Sequence, residues 1–142
     1  MNNDFPGGCP YISKSIVDVR NVAQAHVNAI KSNEAQGKRF VLTNYLLWLN
    51  EIGDILHEMY GSQGYTIPRK IADFNLVKKM AKSRPDAAKI VDIWGIENVY
   101  NNERSKRILG IEYIDIRDSI REMAPSMIEQ GIIPDRRPRA KL

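Results

Sequence analysis

The chain is 142 residues long, with 21 Lys and Arg against 17 Asp and Glu for a formal charge of +4, and 43% of it is hydrophobic. That is the length and apolar content of one folded domain, without a run approaching the ~18 apolar residues needed to cross a bilayer. The N-terminus lacks the basic start and apolar stretch of a secretory signal, and the single Cys9 permits no internal disulfide and no multi-cysteine metal site, so a reducing, cytoplasmic setting is expected.

Residues 1–10, rich in Asn, Gly and Pro, are expected to be a flexible opening segment. Tyr11 to Val17 can extend, and Asp18 is placed to cap a helix, because a carboxylate accepts bonds from the unpaired N–H groups of a helix start. Val22, Ala25, Ala29 and Ile30 then recur at helical spacing. Ser32 to Gly37 reads as a turn and Gly37 to Thr43 as a strand. A second helix is expected from about Leu46 to Tyr60, apolar at Leu49, Ile52, Leu56 and Met59 and ended by Gly61. Gly64 to Pro68 is extended. Asp73 to Lys82 reads as a helix, apolar at Phe74, Val77 and Met80, and Pro85 begins another that ends near Trp94 and Gly95.

Asn101 or Asn102 caps a further turn through Leu109, closed by Gly110, and Glu112 to Ile114 reads as a brief strand. Asp115, with Asp118 in the capping-box position, opens the last helix. Its stripe is Ile116, Ile120, Met123, Met127 and Ile128; Pro125 is expected to kink or shorten it by removing a backbone donor, and Gly131 ends it. The stripes are expected to pack together, burying Val22, Ala25, Ala29, Val41, Ile52, Leu56, Met59, Leu109, Ile120 and Met127. Residues 136–142 form a basic tail; without its Arg136, Arg137, Arg139 and Lys141, 17 basic residues face 17 acidic ones. The chain is therefore read as mostly helical, with two or three strands too short to make an independent sheet.

Few residues suggest chemistry on their own. His26 is expected to be hydrogen-bonded on the inner side of its helix, and His57, beside Asp54 and Glu58, to lie on a solvated face without a second histidine to help hold a metal. Cys9 has no adjacent base and is not expected to act as a nucleophile. Trp48, Trp94, Tyr65 and Phe74 are expected in the core rather than around an aromatic substrate. Lys70, Lys78, Lys79, Lys82 and Arg84 could form a surface for nucleic acid, but the neutral charge balance of the body disfavours it.

Ile16 to Ile30, Ile-Val-Asp-Val-Arg-Asn-Val-Ala-Gln-Ala-His-Val-Asn-Ala-Ile, resembles the V-D-V-R-D-V-A-x-A-H segment of the second half of extended short-chain dehydrogenase/reductases. Gly37 to Leu42, G-K-R-F-V-L, is similar to the family's G-x-R-Y/F-I/V-L strand, and Ile67-Pro68 to its proline stop. Asn101 to Gly110, N-N-E-R-S-K-R-I-L-G, resembles D-N-S-K-A-K-x-x-L-G, and a closing helix ending in S-M-I-E-Q-G-I-I-P-D follows. The ordered set covers nearly everything from Tyr11 to Asp135 and points to the dihydroflavonol reductase, cinnamoyl-CoA reductase and aldehyde reductase group. There are departures. Asn21 stands where the family usually has Asp, and the phosphate-binding Gly-x-x-Gly-x-x-Gly loop is absent. So is the Tyr-x-x-x-Lys pair, since the residues four after the six tyrosines are Ser15, Leu49, Gly64, Arg69, Arg104 and Arg117.

The resemblance implies an α/β family fold of which this chain is the helical C-terminal, substrate-side lobe (11–135), lacking most of the Rossmann half. It implies part of an NADP(H)-dependent oxidoreductase that reduces a small-molecule carbonyl to an alcohol. NADP or NAD would serve the complete enzyme; no cofactor, catalytic residue or metal ligand is expected in this chain alone. Substrate contact is expected at Tyr11 and Ile12, because the segment before V-D-V-R borders the cleft in the resembling enzymes. The expected partner is the missing Rossmann half, with neither nucleic acid nor membrane. The other reading is a standalone, non-catalytic binding module with the same fold.

Overall fold

In the computed structural model, which describes residues 7–136, the mostly helical reading holds. The elements run β1 (Ser13–Ile16), α1 (Val19–Lys31), β2 (Tyr45–Trp48), α2 (Leu49–Tyr60), α3 (Phe74–Ala81), α4 (Pro85–Asp92), α5 (Glu103–Leu109) and α6 (Ile116–Glu129). β1 and β2 form a two-stranded sheet. Its end bonds, Leu49 N–H to Ile12 C=O at 3.1 Å and Asn44 N–H to Ile16 C=O at 2.8 Å, make it antiparallel. The described chain divides into two compact units, one of residues 14–47 and 98–119 and the other of 7–13, 48–97 and 120–136; the expected substrate-side range, 11–135, contributes to both.

In the first unit Asp18 caps α1 as its position predicts, accepting the Arg20 backbone N–H at 2.8 Å. Ala25, Ala35, Leu109 and Ile111 are the buried core, with Ala29, Phe40 and Leu42 packed around them. The helical stripe is narrower than expected. Ile30 is 88% exposed, and Asn21 is buried beside Ala25 instead. Neither of the strands expected at 37–43 and 112–114 forms. At 112–114 the reason is local: asparagine amides take the place of a ladder. Asn21 donates to Glu112 C=O at 2.8 Å and accepts from Ile114 N–H at 2.9 Å, while Asn44 donates to Ile114 C=O at 2.9 Å. Asn28 holds Leu109 C=O at 2.6 Å in the same way. Gly110 closes α5 at φ 61°, a left-handed turn that glycine adopts without steric cost.

In the second unit the buried apolar residues include Cys9, Ile12, Ile55, Ala72, Val77, Ala87, Ile120, Ala124 and Ile128. α2 begins three residues later than expected because Tyr45 to Trp48 belong to β2. Leu49, Ile52, Leu56 and Met59 are half-buried; full burial falls on Gly53 and Ile55. At Gly53 a Cβ would meet the Pro68 carbonyl oxygen at 2.5 Å, so only glycine lets the 67–68 segment lie this close to the helix. α2 runs past Gly61 into a further turn, which ends at Gly64, φ 84°.

The last residues of the expected flexible opening are held in place. Cys9 N–H donates to Lys70 C=O at 2.8 Å, and Ala72 N–H to Cys9 C=O at 2.9 Å. α6 continues through Pro125 to Glu129, so the proline does not shorten it. The Arg121 carbonyl, which cannot receive a bond from position 125, accepts the Tyr60 hydroxyl at 3.4 Å. Met123, expected in the apolar stripe, is 47% exposed, and the buried line runs through Ile120, Ala124 and Ile128. The basic tail after Arg136 lies outside the described residues.

Candidate functional site

Tyr11 and Ile12 sit side by side in sequence but do different things. The Ile12 side chain is buried, and its carbonyl accepts from Leu49, which fixes the segment. Tyr11 presents its ring. It stacks on Trp48 with centroids 4.1 Å apart and planes 12° apart, and meets Trp94 edge-on at 6.4 Å. Trp94 in turn lies against Phe74 at 4.9 Å, and the Lys78 ammonium stands 4.5 Å above the Phe74 ring. The Tyr11 carbonyl accepts the Gly95 N–H at 2.8 Å, which pins the Trp94 turn beneath it. The result is a half-buried ladder of four rings containing both tryptophans of the chain. Stacked and edge-on rings of this kind form a flat, polarisable apolar cluster. Trp48, Trp94 and Phe74 were expected as core; the stack with Tyr11 escapes sequence reading because 37 residues separate its two rings.

Tyr65 belongs elsewhere. With Tyr60, whose ring is 6.1 Å away, and with Leu56, Ile67, Ala124 and Ile128, it lines a small apolar cavity of about 70 Å3. Both hydroxyls are engaged outside it, Tyr60 at Arg121 and Tyr65 as acceptor of Arg136 N–H at 3.1 Å. The cavity therefore has little to offer a polar group.

The titratable residues are structural. Asp18 accepts Arg20 Nε at 2.9 Å, Arg20 Nη2 at 2.8 Å and the Ser119 hydroxyl at 2.6 Å. The Arg20 side-chain bonds are the largest cause that holds its carboxyl far below the usual range, against the opposing effect of burial. Burial raises the Cys9 thiol, whose Sγ donates to Lys70 C=O at 3.5 Å, so little thiolate is available. His26 is exposed rather than inward, with Nδ1 2.8 Å from Val22 C=O. His57 is exposed, and among the described residues no three His, Cys, Asp or Glu side chains could hold a metal ion.

In the other unit the segment 39–43, outside any helix or strand, has exposed Arg39 and Val41, half-buried Phe40 and Leu42, and buried Thr43. Its carbonyls at Arg39 and Thr43 accept Arg104 Nη1 at 3.4 Å and Asn102 Nδ2 at 2.6 Å. Among the described residues, its backbone N–H groups make no backbone bond.

No family model matches the chain. It is 28% identical over 114 residues to a Candida albicans protein to which NADPH-dependent methylglyoxal reduction is ascribed, a match covering 79% of this chain and 28% of that protein. It is 23% identical over 121 residues to the NADPH-dependent methylglyoxal reductase of Saccharomyces cerevisiae, covering 84% and 31%. The yeast methylglyoxal/isovaleraldehyde reductase in complex with NADPH superposes with a TM-score of 0.61 at 22% identity, over 90% of this chain and 33% of that one. A Candida albicans counterpart gives 0.62 at 20% identity, over 89% and 34%. These proteins are of the extended short-chain, aldehyde-reductase group, and the chain spans about a third of their length.

Proposed function

We propose that this chain, which shares the fold of about a third of an extended short-chain aldehyde reductase, is the substrate-side portion of an NADP(H)-dependent enzyme that reduces a carbonyl to an alcohol. It works with a dinucleotide-binding half that supplies the cofactor site and the Tyr-x-x-x-Lys pair. The observation that carries this reading is the segment 39–43. Arg39 to Leu42 alternate exposed and half-buried before the buried Thr43, and the N–H groups make no backbone bond among the described residues, as expected of a strand whose neighbour is on another polypeptide segment.

The residues present do not fit a dinucleotide. A pyrophosphate sits at the N-terminus of a helix that follows a strand, against open backbone N–H groups. Here the β1-to-α1 junction holds the Asp18 carboxylate, which already takes the Arg20 N–H, and the β2-to-α2 junction holds Glu51, whose carboxylate accepts Trp48 N–H at 2.8 Å. Both ends carry a negative charge where a diphosphate would have to lie. The chain's own contribution is therefore to bind and orient the carbonyl compound and to shield it from water.

Within that reading Tyr11 makes the substrate contact, with Ile12 anchoring its backbone, and the four-ring ladder favours an aromatic carbonyl of the dihydroflavonol, cinnamoyl or aryl-aldehyde type. The test is complementation. The chain is expressed with the dinucleotide-binding half of an extended short-chain reductase, and NADPH oxidation is followed with cinnamaldehyde and with methylglyoxal. The expectation is a soluble complex with turnover, no turnover by the chain alone, and a KM for cinnamaldehyde that Tyr11→Ala raises at least about tenfold, a loss of about 1.4 kcal/mol of binding. A chain that is monomeric and cooperatively folded alone at high concentration, and that ignores the added half, is instead a standalone binding module.

A further inference from the structure

Arg20, Arg69 and Arg84 each hold a carboxylate, on Asp18, Asp54 and Asp86. Arg39, Arg104 and Arg107 hold none among the described residues, and all three line one open groove of about 510 Å3 with Val41, Asn101 and Glu103. Among the described residues, the only carboxylate in the groove wall, on Glu103, is met by Lys106 Nζ at 3.2 Å. Three guanidiniums without acidic partners thus converge on one place, although the chain has 17 acidic residues that could have been set against them. Like charges gathered in this way repel one another unless something anionic arrives.

The same groove is bordered by 39–43, through Arg39 and Val41, and Val41 is 45% exposed. Among the described residues, the backbone N–H groups there make no backbone bond. We infer that this groove receives an acidic, extended polypeptide segment, which pairs with the backbone of 39–43 and sets its carboxylates against Arg39, Arg104 and Arg107. The inference rests on the reading that 39–43 takes a partner strand, and it adds the chemistry of that strand. An added strand satisfies backbone donors with carbonyls at the ladder repeat, while its outward side chains reach the flanking surface. Guanidinium forks bind carboxylates in parallel pairs of charge-assisted bonds, so glutamate or aspartate on that strand fits best. A nucleic acid strand would meet the arginines but would leave the N–H row without carbonyls.

The test uses the full 142-residue chain and two labelled peptides of equal length, one alternating Glu and Val and the other Gln and Val. Fluorescence anisotropy gives the affinities and amide exchange reports protection at Phe40 to Leu42. The expected result is that the Glu peptide binds at least about tenfold more tightly than the Gln peptide, and that about 0.5 M salt removes the difference. The double variant Arg104→Glu/Arg107→Glu should lose it at low salt; the salt series on the unaltered chain gives the same answer if that variant fails to fold. Equal affinities with protected amides would overturn the acidic partner while leaving strand pairing intact. Failure of both peptides to bind would overturn the inference, whereas the reading beneath it stands or falls with the dinucleotide half added in trans. Tighter binding of a single-stranded oligonucleotide without amide protection would assign the groove to phosphate and overturn the inference as well.

Discussion

Asn21→Asp is the most informative single change in the chain, because the residue is 5% exposed and its amide bonds two backbone groups at once. Nδ2 donates to Glu112 C=O at 2.8 Å and Oδ1 accepts from Ile114 N–H at 2.9 Å. Truncation to alanine leaves both backbone groups unpaired in a buried setting at about 1–3 kcal/mol each, for a total of about 2–6 kcal/mol. Aspartate keeps the acceptor for Ile114 but has no donor for Glu112, and it brings an ionised oxygen toward a carbonyl. A carboxyl in that position is stabilised in its protonated form, which can donate to Glu112, so its folded pKa lies above the ordinary value near 4. The sign follows. The protonated form supports the fold below the unfolded pKa, and that support is lost as pH rises through the raised folded value. Asn21→Asp should therefore match the parent chain most closely below about pH 4 and fall behind it by neutral pH, by about 2–4 kcal/mol. Urea denaturation across this pH range, with amide exchange at Ile114 as the local probe, makes the measurement. A deficit that stays flat with pH, or one below half a kcal/mol at neutral pH, would refute the pairing assigned to this residue.

Three further changes test the packing and the caps. Gly53→Ala should destabilise by about 1–3 kcal/mol in urea melts, because its Cβ meets the Pro68 carbonyl oxygen at 2.5 Å and backbone must move. Tyr60→Phe should cost about 1 kcal/mol, and less when Pro125→Ala restores an N–H for the Arg121 carbonyl; equal costs in the two backgrounds would deny that the hydroxyl compensates for the proline. Asp18→Asn should cost about 1–3 kcal/mol at neutral pH by weakening the bonds to Arg20 and Ser119. The lowered Asp18 pKa gives stability that is present above its unfolded value near 4 and drains away as pH falls toward the folded one. The variant's stability should accordingly change less steeply with acid than the parent's.

What could be read from the sequence was what depends on neighbours along the chain. The Asp18 cap, the helices begun by Asp73, Pro85 and Asp115, and the left-handed Gly110 all follow from a few adjacent residues, and all are present. What could not be read depends on partners far away. Leu46 to Trp48 carry the helical spacing of the residues after them, and only β1, about 30 residues earlier, makes Tyr45 to Trp48 a strand. Ile30 has helical spacing yet points to solvent, because its unit is small and Asn21 occupies the buried face instead. Tyr11 could be named from the resemblance, but the ring it stacks on could not, since that contact depends on β1 bringing Ile12 beside Leu49. The arginine groove gave no signal in advance: Arg39 and Arg104 are 65 residues apart, and whether an arginine has a carboxylate is a fact of the fold.

The two missing strands show why the open segment 39–43 is informative. Both 37–43 and 112–114 carry strand-like sequence, and neither is paired within its unit. At 112–114 three amide bonds from Asn21 and Asn44 take up Glu112 C=O and both backbone groups of Ile114. At 39–43 side chains reach only two carbonyls, through Arg104 and Asn102, and the N–H groups are left without backbone acceptors. The unit builds side-chain substitutes for a ladder at both segments, but only at 112–114 does one of them reach a backbone N–H, that of Ile114. Buried or half-buried backbone donors are costly to leave unmade, and exposed ones invite a further strand. An open donor row beside three guanidiniums therefore indicates where a second polypeptide belongs more directly than any apolar patch on this chain.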